Sequence, residues 1–136
     1  MADSVILNKV ASIERCIQRV REDYLGHERD FETNFMRQDA VILNLQRACE
    51  LSIDLANHLV KIKGLGIPQN SRQAFELLLE AKIIDRELSG GLSGMVGFRN
   101  IAIHNYTKLD LAVVRSIIEN HISTFLDFTQ RALQFS

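Results

Sequence analysis

The stretch ILNKVASIERCIQRVREDYLG, residues 6–26, reads as a helix and sets the architecture of the chain. Apolar Ile6, Val10, Ile13, Ile17, Val20 and Tyr24 recur every three or four positions, while Lys9, Glu14, Arg15, Arg19, Arg21, Glu22 and Asp23 fill the intervals. That period belongs to an α-helix with one buried stripe and one wet face. A strand would alternate every second residue between turn clusters, and no segment does so convincingly. The helix is expected to begin after Asp3 or Ser4, both suitable N-caps, and to end before Gly26.

The same period continues along the chain. A polar run, residues 27–30, leads to Phe31, Phe35 and Met36 and then to a long helix carrying Ile42, Leu45, Cys49, Ile53, Ala56 and Val60, stopped by Gly64 and Gly66. Pro68, Asn70 and Ser71 form a loop, with Ser71 as N-cap of a third helix that buries Phe75, Leu78, Leu79 and Ile83 and ends near Leu88. A fourth helix is expected from Leu92 to Ile103. A fifth runs from Asp110 to Phe135 along Val114, Ile117, His121, Phe125 and Phe128. Gly90, Gly91, Gly94 and Gly97 crowd one short segment, which is costly in a helix unless another backbone approaches closely. The expectation is an all-α protein, an antiparallel bundle of four to five helices in a single domain over residues 1–136.

Composition narrows the function classes. With 136 residues, 46% hydrophobic and 24% charged, the chain suits one domain whose core needs neither metal nor disulfide. Cys16 and Cys49 form no CxxC pair and sit among apolar helical positions, as in a protein of the reducing cytosol. MADSVILNK has no basic leader, and no apolar run exceeds four residues, Ala40 to Leu43 being one such run. A cytoplasmic protein without membrane contact is expected. A net charge of -1 excludes a grip on nucleic acid through bulk positive charge, so an anionic partner must be met by a few local cations.

One segment carries chemistry. Phe98-Arg99-Asn100-Ile101-Ala102-Ile103-His104-Asn105-Tyr106 gathers a permanent cation, an amide, an imidazole and a phenol within nine residues. A guanidinium can make two parallel hydrogen bonds to phosphate oxygens, and an imidazole can take or give a proton near neutral pH. Arg99 and His104 are five residues apart, roughly 140° around a helix and about 7.5 Å along it, so they do not share a face. They converge on one phosphate if the helix ends near His104, or if a second copy matches each across a two-fold axis. Asn100 and His104 stack four apart, so the amide can orient the ring.

The pattern Arg-Asn, three residues, His, one residue, Tyr resembles the signature of HEPN-superfamily ribonucleases, specifically the HepT toxins paired with minimal nucleotidyltransferase antitoxins. Val41 to Asn57, the LGIPQNSR loop and the MVGFRNIAIHNY block share in the resemblance, which spans nearly the whole chain. It implies a HEPN-like homodimer, the toxin of a type VII-like toxin–antitoxin pair, whose two protomers form one cleft for single-stranded RNA or tRNA. It also implies that Arg99 and His104 are the catalytic pair, Asn100 the supporting polar residue, and Tyr106 the tyrosine adenylylated by the partner. Neither metal nor cofactor is expected, nor DNA as a partner.

Other readings remain beside this one. Tyr106 can be a buried aromatic whose hydroxyl caps a carbonyl. The glycine cluster lacks the GK[ST] ending and preceding strand of a phosphate loop, so close helix packing is the better reading. Cys49, Asp54 and His58 lack the spacing of a zinc set; Asp54 and His58 are expected to hydrogen-bond locally. His27 and His121 read as a loop residue and a satisfied bundle histidine. Arg15, Arg19 and Arg21 interleave with acids as on a solvated face, and Arg72 and Lys82 stand apart. A non-catalytic substrate- or nucleotide-binding subunit of a nucleotidyltransferase is the alternative function, and a purely structural bundle leaves the polar cluster without a role.

Overall fold

The computed structural model of the protein describes residues 2–136, and among them every regular element is helical. Six α-helices occur: α1 (Ser4–Tyr24), α2 (Phe35–Ile62), α3 (Ser71–Glu80), α4 (Arg86–His104), α5 (Leu111–Asn120) and α6 (Ile122–Leu133). A 3₁₀ turn (Tyr106–Lys108) lies between α4 and α5. The all-helical expectation holds, with one helix more than counted from the sequence.

α1 and α2 are the main packed pair. Asp3 is the N-cap of α1, its carboxylate accepting from the N–H groups of Val5 (2.9 Å) and Ile6 (3.1 Å). Every residue of the predicted α1 stripe is buried. The α2 stripe from Ile42 to Val60 is buried too, whereas Phe35 and Met36 at its start are 71% and 85% exposed. α3 packs on α2 and α4, and α6 closes the core against α1, α2 and α4. Edge-to-face contact of Phe75 with Phe128, centroids 5.8 Å apart, joins α3 to α6.

The helix ends explain where the expected boundaries fail. α2 closes with Gly64 at φ +63, Gly64 N–H donating to Lys61 C=O and Leu65 N–H to Val60 C=O. α3 closes with the same pair of bonds, Lys82 N–H to Leu79 C=O and Ile83 N–H to Leu78 C=O, but with Lys82 at φ +61 where glycine is usual. Ile83 and Leu88 therefore do not extend α3. Leu88 is in the first turn of α4, where its N–H donates to the N-cap Asp85 at 2.8 Å, and α4 begins six residues before the expected Leu92. Asn70, not Ser71, caps α3. The expected fifth helix is two, broken at His121 (φ -127, ψ 7). The spacing of buried residues runs straight through that break, Ile118, Ile122, Phe125, and so conceals it.

Two polar expectations also change. Asp54 and His58 do not pair: Asp54 meets Lys9 at 3.5 Å, and His58 Nε2 lies 2.7 Å from the N-cap Asp3. His121 is exposed at the break rather than satisfied inside the bundle. Tight packing at the glycine cluster is confined to two positions. A Cβ on Gly91 would stand 3.0 Å from Thr124 of α6, and one on Gly97 3.1 Å from the Arg72 guanidinium, while Gly90 and Gly94 have nothing within 4 Å.

Candidate active site

Phe98 and Ala102, one turn apart, bury the inner face of α4 and thereby fix which way its polar neighbours turn. The helix ends at His104. Asn105 (φ -152, ψ 50) donates its N–H to Ile101 C=O at 2.8 Å, and the chain folds at once into the 3₁₀ turn headed by Tyr106. The chemistry-bearing segment thus occupies the last two turns of α4 and the turn after it.

Arg99 is half-buried, its Nη2 donating to Ser71 Oγ at 3.2 Å and its Nε enclosed without an acceptor. An enclosed donor without a partner is costly. Burial pushes the nearby Cys49 thiol up to about 12 against the pull of the Arg99 charge, so Cys49 is an inert core residue rather than a nucleophile. His104 is exposed, and Asn100 is half-buried. His104 makes no hydrogen bond with either Asn100 or Arg99, whose one side-chain hydrogen bond goes to Ser71. Within one chain, Arg99 turns toward α3 while His104 faces solvent.

Tyr106 is 43% exposed, and its hydroxyl donates to Asp39 Oδ1 in the first turns of α2. Partial burial first, then the hydrogen bond and charge of Asp39, push the phenol up to about 12. The hydroxyl is held by a carboxylate across the fold and caps no carbonyl.

Two residues near the segment carried no signal in the sequence. Asp39 lies 67 residues before Tyr106. Arg72, next to Ser71 on α3, brings its guanidinium against Gly97, so a second cation stands beside the C-terminal half of α4. Gly90, Gly94, Gly97, Phe98 and Ile101 of α4 face Val113 and Ile117 of α5 across an apolar groove of about 610 Å³. No helix is long and apolar enough to cross a membrane among the described residues.

The family described as Ribonuclease HepT-like matches residues 13–132. The mRNA nuclease HepT of Shewanella oneidensis is 46% identical over 126 residues, covering 93% of this chain and 94% of that protein. The chain belongs to the HepT-like ribonuclease family. A putative RNase of Archaeoglobus fulgidus is 36% identical over 91 residues, 67% of this chain and 68% of that one. Among solved structures, the tri-AMPylated Shewanella oneidensis HEPN toxin in complex with its MNT antitoxin superposes with a TM-score of 0.92 at 43% identity. That match covers 98% of this chain and 99% of the other. The HepT-like membership favours a ribonuclease over the non-catalytic nucleotide-binding subunit, and the HEPN fold expected from the RNxxxHxY block is the fold observed.

Proposed function

We propose that the protein is the toxin of a HEPN/MNT toxin–antitoxin pair, a metal-independent RNA endonuclease whose cleft is completed by a second copy of the chain. Arg99 and His104 from each copy carry the reaction, and Asn100 supports them. The observation that carries this reading is the end of α4, where a half-buried guanidinium bonded only to Ser71 and an exposed imidazole flank the last two turns without a hydrogen bond between them. Each needs a complement that a symmetric copy supplies. Gly90 and Gly94, open along the apolar groove, support close approach of another helix there.

In such a cleft one imidazole withdraws the proton of a ribose 2′-hydroxyl while its oxygen bonds to phosphorus. The bond from phosphorus to the 5′-oxygen breaks, and a second imidazole protonates the departing oxygen. Arg99 stabilises the charge on the pentacoordinate phosphate. The product carries a 2′,3′-cyclic phosphate. The relative's name, mRNA nuclease, supports single-stranded messenger RNA over transfer RNA as the substrate.

Silencing follows at Tyr106. Its partial exposure, and the AMPylated state of the Shewanella toxin beside its antitoxin, support transfer of AMP to this phenol by a minimal nucleotidyltransferase partner. The modification adds a phosphodiester charge and a nucleoside beside the cleft, so an RNA backbone meets repulsion and obstruction together. The test is digestion of labelled single-stranded RNA in EDTA. Cleavage by the wild type and its loss in Arg99→Ala and His104→Ala, with helical signal intact, is expected. Intact RNA after incubation with the wild type would instead favour a binding subunit.

A further inference from the structure

Tyr106 and Asp39 form a pair whose geometry suits more than holding a turn. Asp39 projects from α2 and Tyr106 from the 3₁₀ turn after α4; the phenol O–H is aimed at Asp39 Oδ1. Asp39 forms no ion pair among the described residues, so no cation competes for its lone pairs. It is also the one charged group acting on the phenol among those residues. Both side chains are exposed, leaving the hydroxyl reachable from solvent.

A phenol must lose its proton to become a strong nucleophile. Burial and Asp39 hold the Tyr106 phenol up to about 12, so at neutral pH the free phenolate is scarce, on the order of one molecule in 10⁵. Prior ionisation is therefore a poor route. Loss of the proton during attack, to an acceptor already bonded to it, avoids that scarcity.

Resting on the reading of Tyr106 as the modified residue, we infer that Asp39 is the general base that activates Tyr106 for AMP transfer. Tyr106 Oη forms a bond to the α-phosphorus of ATP as the bond from that phosphorus to the bridging oxygen breaks. Pyrophosphate leaves with the electron pair, and the phenol proton passes to Asp39 Oδ1 and then to water. The partner nucleotidyltransferase supplies ATP and its metal, and this chain supplies both nucleophile and base. The toxin thus takes part in its own silencing.

The test uses the full chain with its partner nucleotidyltransferase, ATP and Mg²⁺, reading initial AMP incorporation by intact mass between pH 6 and 9. Asp39→Asn is expected to slow incorporation by about 10²- to 10³-fold at pH 7 relative to wild type. Its rate relative to wild type is expected to climb by up to about tenfold per pH unit as free phenolate takes over. Asp39→Glu should restore much of the neutral rate, and thermal unfolding of each variant checks that it is folded. A loss that is the same at every pH and not restored by glutamate would mean that Asp39 only holds the turn, overturning the inference. Wild-type kinetics in Asp39→Asn would overturn it as well, provided Tyr106→Phe takes no AMP. Undiminished AMP incorporation into Tyr106→Phe would instead remove the reading on which the inference rests.

Discussion

The chain has two tyrosines, and each hydroxyl donates to a carboxylate, yet their surroundings are opposite. Tyr24 is 1% exposed and packs edge-to-face on Phe31 with centroids 5.1 Å apart. Its hydroxyl donates to Glu119 and accepts from Arg115, both at 3.2 Å. Arg115 also donates to Glu28 C=O and lies over the Tyr24 and Phe31 rings, tying α1 and the following loop to α5. Tyr106 has a single polar partner and a face open to solvent. A phenol whose lone pairs and ring are all engaged stabilises the fold. One whose hydroxyl has a single carboxylate partner and whose side chain is part-exposed carries no comparable share of the packing.

This contrast extends to the helices around them, and four experiments sharpen or break it. The largest effect is expected at the open end of α4: His104→Ala or Arg99→Ala should reduce RNA cleavage by about 10²- to 10⁴-fold, while exposed His104 should leave the unfolding midpoint nearly unchanged. At the closed site, Tyr24→Ala should cost about 3–5 kcal/mol in chemical denaturation, against less than about 0.5 kcal/mol for Tyr106→Phe. Equal losses at the two tyrosines would erase the distinction.

A smaller effect separates two glycines of the same helix. Gly94→Ala should stabilise the isolated chain by about 0.5–1 kcal/mol, because alanine favours helix and a Cβ there meets nothing. Gly91→Ala should gain less or lose, since its Cβ presses on Thr124. If Gly94 serves pairing of two copies, the stabilised Gly94→Ala protein should also sediment as a weaker dimer.

The smallest effect is at the start of α1. The hydrogen bond with His58, then that from Ile6 N–H, holds the Asp3 carboxyl below its ordinary value of 3.8, against a partial desolvation. A depressed carboxyl contributes stability above its unfolded pKa and loses it as pH falls through the folded value. Acid titration followed at the α1 amides should therefore show fraying at the cap below about pH 3.8, and Asp3→Asn should remove that transition.

What the sequence made legible follows from how local the cause is. The stripes of α1 and α2 are visible because a helical period and burial coincide over many turns. The end of α3 is hidden because Lys82 takes the left-handed position that glycine takes at Gly64. The break at His121 is hidden because Ile118, Ile122 and Phe125 keep their spacing across it. At the site, the spacing of Arg99, Asn100, His104 and Tyr106 lies within one short segment and was readable. Asp39 and Arg72 join it only through tertiary packing, with no periodic or motif signal to announce them.

The claim that the nuclease pair and the silencing tyrosine share one end of the molecule is tested most directly by end-group analysis of single-stranded RNA. The RNA is exposed in EDTA to the protein before and after AMP transfer to Tyr106. The expected result is cleavage to 2′,3′-cyclic phosphate ends by the unmodified protein and intact RNA with the modified one. Equal cleavage by both forms, or cleavage that appears only when a divalent metal is restored, would contradict it.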